Sequence, residues 1–251
     1  MSAGLTVVLI TRDEEKAIAA ALDSVSWADE VVVLDSGSTD RTVEIARARG
    51  AKVTVSADWP GFGPQKNRAL GEATRDWVLS LDADERVTPE LRDEIQAIVA
   101  GKGNHDAYEL PRLSSYCGRF MRHGGWWPDR VTRLFRRGKA RFSDDLVHER
   151  VVVQGTTGRL EGRLLHEAFD DLEEVLDKVN QYSSAGARMG HAAGRRGSLT
   201  RAVLHGVWTF VRTYFLQAGF LDGRRGFMLA VSNAEGTYYR YLKLMLLGER
   251  L

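Results

Sequence analysis

The sequence predicts an α/β protein: a mostly parallel sheet with helices on both faces, followed by a helical extension. Three observations predict it. Over the first hundred residues short apolar runs alternate with segments of helical periodicity, a rhythm that demands crossover helices and hence parallel strands. Two of those runs, VVVL and WVLSL, end directly in an acid, Asp35 and Asp82. Beyond residue 170 the strand rhythm stops and long helical stretches replace it.

Taken in order, LTVVLIT reads as a strand and residues 14–25 as a helix; EVVVLD is the second strand, and a helix runs from Thr39 to Arg49. AKVTVS, a helix from Pro64 to Thr74, WVLSLD and a helix opening at Thr88-Pro89-Glu90 complete the alternation. Ser38 or Thr39 can cap the second helix, and Thr88 the fourth, with Pro89 at its first position. Leu91 cannot complete a capping box there. From about 105 to 167, AYELPR, RVTRLFRR, RVVVQG and GRLLHEA between Gly-rich turns suggest mixed or antiparallel strands. Two helical stretches follow, DLEEVLDKVNQYSSAGARMG and LTRAVLHGVWTFVRTYFLQAGFL, separated by a Gly/Arg break at 194–197. The expected division is 1–170 for the sheet domain and 171–251 for the helical extension.

With 251 residues, 43% hydrophobic and 27% charged, the chain is long enough to fold around its own core without disulfides. Its single cysteine, Cys117, can form no internal bridge, so a reducing, cytoplasmic setting is expected. The opening MSAGLTVVLITRDEE lacks the basic and apolar segments of a signal peptide, and no uncharged run approaches the ~20 residues of a membrane span. The net charge of +1 hides an asymmetry. Residues 181–251 hold ten Lys/Arg against three Asp/Glu, net +7, which leaves −6 for the rest.

Open parallel sheets bind ligands beyond the carboxyl ends of their strands, where the strand order switches. Asp35 there can accept a hydrogen bond from a base or sugar, and Asp82 and Asp84 of LDADE can gather a hard cation, Mg²⁺ or Mn²⁺. The competing reading is that this D-x-D arose by chance and merely caps a turn. A calcium loop is excluded by Arg86 and Val87, where an oxygen ligand and glycine belong. P-loop and dinucleotide-binding glycine signatures are absent.

LTVVLITRDEE, SWADEVVVLDSGSTDRT, WPGFGPQKNRAL, DWVLSLDADE, GGWWPDRVTRLFRR, LVHE and HEAF, in that order, cover about two thirds of the chain. Together they resemble family 2 glycosyltransferases, inverting enzymes of the Rossmann-like glycosyltransferase A fold, and within them the lipopolysaccharide-core β-glucosyltransferase branch. The resemblance implies a UDP-sugar donor, Mg²⁺ or Mn²⁺ as cofactor, and a lipid-linked or inner-core saccharide acceptor. It implies that Thr11, Arg12 and Glu14 line the nucleotide pocket, that Asp35 addresses the uracil, and that Lys66 and Asn67 lie near the nucleotide. Asp82 is expected to approach the ribose or a metal-bound water, and Asp84 to ligate the metal directly. His166 resembles the histidine that many members of this fold send to the metal or diphosphate. An inverting transfer also needs a base, and the resemblance points to Glu149, with Asp145 in reserve and His148 orienting substrate. Trp126 and Trp127 suit a sugar-binding wall, and core packing explains them nearly as well.

In the basic tail, Leu204, Val207, Trp208, Val211, Tyr214 and Phe215 fall on one helical stripe. Such a helix either packs on the catalytic domain or lies in a membrane interface. The excess positive charge favours an anionic membrane surface at the cytoplasmic face; nucleic acid is not expected, since no nucleic-acid module accompanies it. Two other functions stay open on sequence alone, a non-catalytic nucleotide-binding scaffold and a nucleotidyltransferase.

Overall fold

The computed structural model describes residues 4–143 and 150–249. Two compact units emerge: Met1–Arg112 with Asp129–His166, and Leu113–Pro128 with Glu167–Leu251. The second unit joins residues 113–128, from the middle of the chain, to everything from Glu167 onward, whereas the sequence expectation is a single cut after residue 170.

In the first unit the expected alternation is present. Strands β1 (Leu5–Thr11), β2 (Glu30–Asp35), β3 (Lys52–Val55) and β4 (Trp77–Ser80) are linked by helices α1 (Ile18–Ser24), α2 (Thr42–Ala48) and α3 (Phe62–Gly71). Next come β5 (Glu85–Val87), α4 (Pro89–Ala97), β6 (Ala107–Tyr116), β7 (Arg119–Phe120), β8 (Asp129–Arg136), β9 (Ala140–Phe142), β10 (Val151–Val153), β11 (Thr157–Arg159) and β12 (Leu164–His166). The main sheet runs β3-β2-β1-β4-β8-β6-β12-β5. Its first four strands are parallel, whereas β8 meets β4, and β12 meets β5, in antiparallel fashion. Among the described residues RVVVQG does not join this sheet: β10 pairs with β9 in a separate two-stranded sheet.

Period-2 alternation buries both faces. Leu5, Val7 and Leu9 of β1 pack with Ile18, Leu22, Ala46, Leu91 and Ile95, while Val8 packs with Leu34, Val78, Ala69 and Phe135 on the other face. The order places β2 on one side of β1 and β4 on the other, so the switch point falls between the carboxyl ends of β1 and β4. Thr88 caps α4 as expected, accepting from Leu91 N at 3.3 Å with Pro89 at the first position. Neither Ser38 nor Thr39 caps α2. That helix starts three residues later, at Thr42, where Asp40 accepts from Thr42 N at 2.9 Å.

The second unit consists mainly of α5 (Leu172–Ala192), α6 (Leu199–Val211) and α7 (Gly223–Glu249). Asp171 caps α5 by accepting from Glu174 N at 2.9 Å, and Ser198 caps α6 by accepting from Arg201 N at 3.2 Å. Lys243 of α7 ties down α5 through Asn180 Oδ1 at 2.7 Å and the hydroxyls of Ser183 and Ser184 at 2.8 Å. Toward α7, α6 turns small residues: Ala202 is buried, and a Cβ on Gly206 would sit 3.3 Å from Tyr238 Cβ. Among the described residues no helix is long and apolar enough to cross a membrane.

Candidate active site

The site grows from the ends of β1, β2 and β4. Register pairs Thr11 with Asp35, so the loops that follow β1 and β2 leave the sheet at the same level. They latch to each other. Asp13 N donates to Ser38 Oγ at 2.8 Å, Thr39 N to Asp13 Oδ1 at 2.7 Å, Glu14 N to Thr42 Oγ1 at 2.7 Å and Glu15 N to Asp40 Oδ2 at 3.0 Å. Asp13 holds a left-handed φ of 55°, a conformation that Asp tolerates better than most residues.

Asp35 departs from the expectation. It is fully buried and accepts from Gly37 N at 3.0 Å, Ser38 N at 2.9 Å, Thr11 Oγ1 at 3.1 Å and the Ser38 hydroxyl. Four donors saturate a carboxylate. Asp35 thus shapes the turn after β2 rather than offering a free acceptor to a uracil, and Thr11 is its partner. Arg12, by contrast, is exposed, with Asp13 at 3.9 Å as its ion-pair partner among the described residues.

The opening of LDADE is wired by charge. Leu81 N donates to Val8 O, which carries the chain one residue past β4 alongside β1. Asp82 then binds Lys66 Nζ through Oδ1 at 2.9 Å and Arg133 Nη2 through Oδ2 at 2.5 Å. The same guanidinium nitrogen reaches the fully buried Glu85 at 2.6 Å, while Glu85 Oε2 accepts from Asp82 N at 3.0 Å. Arg112 extends the network, 3.6 Å from Glu85 and 2.7 Å from Asp129. Burial pushes the Asp82 carboxyl up, but Arg133 and Lys66 overcome that and hold it below the ordinary carboxylate range. Burial raises Glu85, against the pull of Arg133 and with the Asp82 charge adding to it. Lys66 thus pairs with Asp82, which has both oxygens committed to cations of the protein itself.

Asp84 is arranged differently. The β5–β12 register sets His166 opposite Glu85, which brings His166 Nε2 to 3.3 Å from Asp84 Oδ2. Two residues assigned to a metal, 82 positions apart in sequence, thus meet at the lip of the sheet. Glu14 faces the same cleft: burial, then the charges of Asp84, Asp40, Asp82 and Asp13, push its carboxyl up to about 7. Excess negative charge here favours a cation. Among the described residues no group of three or more His, Cys, Asp or Glu stands ready to hold one. A pair of ligands still suits Mg²⁺ or Mn²⁺, which take few protein ligands and complete their shell with phosphate and water.

Asn67 is engaged by the backbone of β9. Its amide clamps Phe142 on both sides, donating to Phe142 O at 2.9 Å and accepting from Phe142 N at 2.8 Å. Trp127 belongs to the second unit and is half-buried, and its neighbour Trp126 packs against Tyr116 and Phe169 with ring centroids 5.9 and 6.1 Å away. For Trp126, core packing is the better account. Asp145, His148 and Glu149 lie outside the described residues.

Sequence reasoning missed Arg133 as the hub of the site. Alternation gave no signal for it, since Leu134 and Phe135, of opposite parity, are both buried; a guanidinium buried on this strand needs carboxylates, and Asp82 and Glu85 supply them. It also missed Gln65, fully buried beside Lys66, whose Nε2 donates to Ser36 Oγ at 3.0 Å.

A parallel half-sheet with carboxylates at its switch point is shared by several enzyme classes, and comparison with known proteins decides among them. The sequence profile of glycosyl transferase family 2 matches residues 6–160. The chain belongs to that family. It is 34% identical over 253 residues to an uncharacterized glycosyltransferase of Rickettsia typhi, covering 96% of this chain and 86% of that one. It is 28% identical over 256 residues to the lipopolysaccharide core biosynthesis glycosyltransferase LpsC of Rhizobium meliloti, covering 96% and 91%. Among solved structures, S. aureus TarS 1–349 in complex with UDP superposes with a TM-score of 0.52 at 16% identity, covering 99% of this chain and 92% of that one. That likeness is one of fold, the glycosyltransferase A fold, with its mixed α/β sheet and, in this chain, a long helix at the C-terminal end.

Proposed function

We propose that this family 2 glycosyltransferase moves a hexose, glucose, from a UDP-sugar to a lipid-linked saccharide of a lipopolysaccharide inner core, inverting the anomeric carbon in one displacement. The observation that carries the reading is the Asp84–His166 pair beside the β1/β4 switch point, an anionic lip next to a charge-wired floor. The likeness to LpsC supports the acceptor, and the UDP held by TarS supports the donor.

Asp84 and His166 would hold Mg²⁺ or Mn²⁺, which when bound offsets the charge that grows on the departing diphosphate. Arg133 and Lys66 fix Asp82, and through the Asp82–Glu85 turn they set the position of Asp84. Glu149, on the strength of the family resemblance, takes the proton of the acceptor hydroxyl. As that oxygen bonds to C1, the C1–O bond to the diphosphate breaks on the opposite face and UDP leaves. Asp145 is the reserve base and His148 orients the acceptor. The reading puts the enzyme at the cytoplasmic side of the membrane that carries its acceptor.

Incubating the purified protein with a panel of UDP-sugars, with and without inner-core acceptors, and measuring metal-dependent UDP release tests this directly. UDP-glucose should lead, and Glu149→Gln should lower turnover on the order of 10²- to 10⁴-fold with UDP binding intact. Equal release from every donor, or turnover unchanged in Glu149→Gln, contradicts the proposal.

A further inference from the structure

α6 is built inside out. Its small residues, Ala202 and Gly206, are buried, Gly206 against α7, and most of its large apolar ones are left exposed. Leu204, Val207, Trp208, Phe215, Leu216 and Leu221 are each between 55% and 66% exposed. Soluble proteins rarely leave so much large apolar surface contiguous and uncovered. Small residues at a helix–helix contact with large apolar residues outward is the pattern of helices whose surroundings are lipid.

Charge identifies what the surface meets. Between residues 195 and 227 stand six arginines, Arg195, Arg196, Arg201, Arg212, Arg224 and Arg225, against a single acid, Asp222. Asp222 is buried and spent inside the unit, accepting from Arg122 N at 3.0 Å and His123 N at 2.8 Å and pairing with His123 Nδ1 at 3.0 Å. Between residues 195 and 227 the net charge shown to solvent is therefore positive. The turn after α6 is also held in shape. Tyr214 lies within 5.5 Å of Phe210, 5.6 Å of Phe227 and 6.3 Å of Phe220, ring centroid to centroid, so the exposed tip is braced by aromatic packing. Beside it, a largely apolar groove of about 400 Å³ runs between α6 and α7, lined by Val203, Val207, Phe210, Val231 and Tyr238, with Glu235 as its one acid.

We infer that α6 and the turn through Leu221 form a membrane-insertion face for an anionic bilayer, with the apolar ridge entering the acyl boundary and the arginines meeting lipid phosphates. The groove between α6 and α7 suits an acyl chain. This rests on the proposed lipid-linked acceptor only for its purpose, and its test needs neither donor nor acceptor.

The full-length protein is co-sedimented with phosphatidylcholine vesicles and with vesicles containing phosphatidylglycerol, at low and high salt. Binding should require phosphatidylglycerol and weaken with salt, and the double variant Leu204→Glu/Leu216→Glu should lose at least tenfold in affinity while its melting temperature is unchanged. A second variant, Arg201→Gln/Arg212→Gln/Arg224→Gln, should lose the preference for phosphatidylglycerol but keep the fold. No vesicle binding, or binding that survives the Leu204→Glu/Leu216→Glu change, overturns the inference. So does a concentration-dependent oligomer that this double change dissolves, because the ridge would then be a contact between copies. Failure of sugar transfer with vesicle binding intact would instead count against the proposed reaction.

Discussion

The two units of this chain treat their side chains in opposite ways. In the first, Leu9 and its neighbours on β1 are buried between helices, and the polar groups gather at the strand ends, wired to one another. In the second, α6 buries alanine and glycine and shows leucine and tryptophan to the outside. Hydrophobic residues inside is a rule about water; where a surface meets something else, the pattern inverts. A leucine therefore means different things at positions 9 and 204, and substitution can expose the difference.

The largest effect is expected at the charged floor. Arg133→Met leaves Asp82 and Glu85 short of their shared cation, and a broken buried ion network destabilises by about 3–5 kcal/mol; urea denaturation measures it. Leu9→Ala should cost about 2–5 kcal/mol by opening a cavity, whereas Leu204→Ala, on the exposed ridge, should stay within about 0.5 kcal/mol. Equal losses at the two positions would erase the contrast. Gly206→Val tests the small face of α6 itself: its new side chain would press on Tyr238 and Ala234, and the expected loss is about 1–3 kcal/mol by the same measurement. A smaller effect is a slope with pH. Glu14 holds its proton to about 7 in the fold, above its ordinary value of 4.5, so the folded state binds more protons between those values. Stability should fall as pH rises through that window and level off above it. Glu14→Gln should flatten that part of a melting-temperature profile, and an unchanged slope would remove Glu14 from the acidic cleft.

Much of the first unit was legible because alternation of short apolar runs with helices admits few other folds, and because Thr88-Pro89 is a local signal with a local outcome. Asp84 and His166 were singled out through the order of family motifs, and only the β5–β12 register explains why they meet. Asp35 and Asn67 misled for one reason. A polar residue at a strand end or on a helix shows its chemistry in sequence but not its direction, and both are consumed by backbone partners, one at Gly37–Ser38 and one 75 residues away at Phe142. Arg133 was hidden among the four arginines of RVTRLFRR, since only pairing with β4 tells which of them turns inward. The outward stripe of α6 could not be assigned from periodicity, because an apolar face reads the same whether a neighbouring helix or a lipid covers it.

The central claim is that Asp84 and His166 hold a divalent cation that engages the diphosphate of the donor. Titration calorimetry of UDP with Mn²⁺, on the wild-type protein and on Asp84→Ala, tests it most directly, backed by thermal shift. The account predicts UDP binding that requires the metal, stabilisation of about 2.7 kcal/mol when free ligand is 100 times its dissociation constant, and loss of both in the variant. UDP binding that is indifferent to Mn²⁺ and Mg²⁺, or that survives Asp84→Ala undiminished, would contradict it.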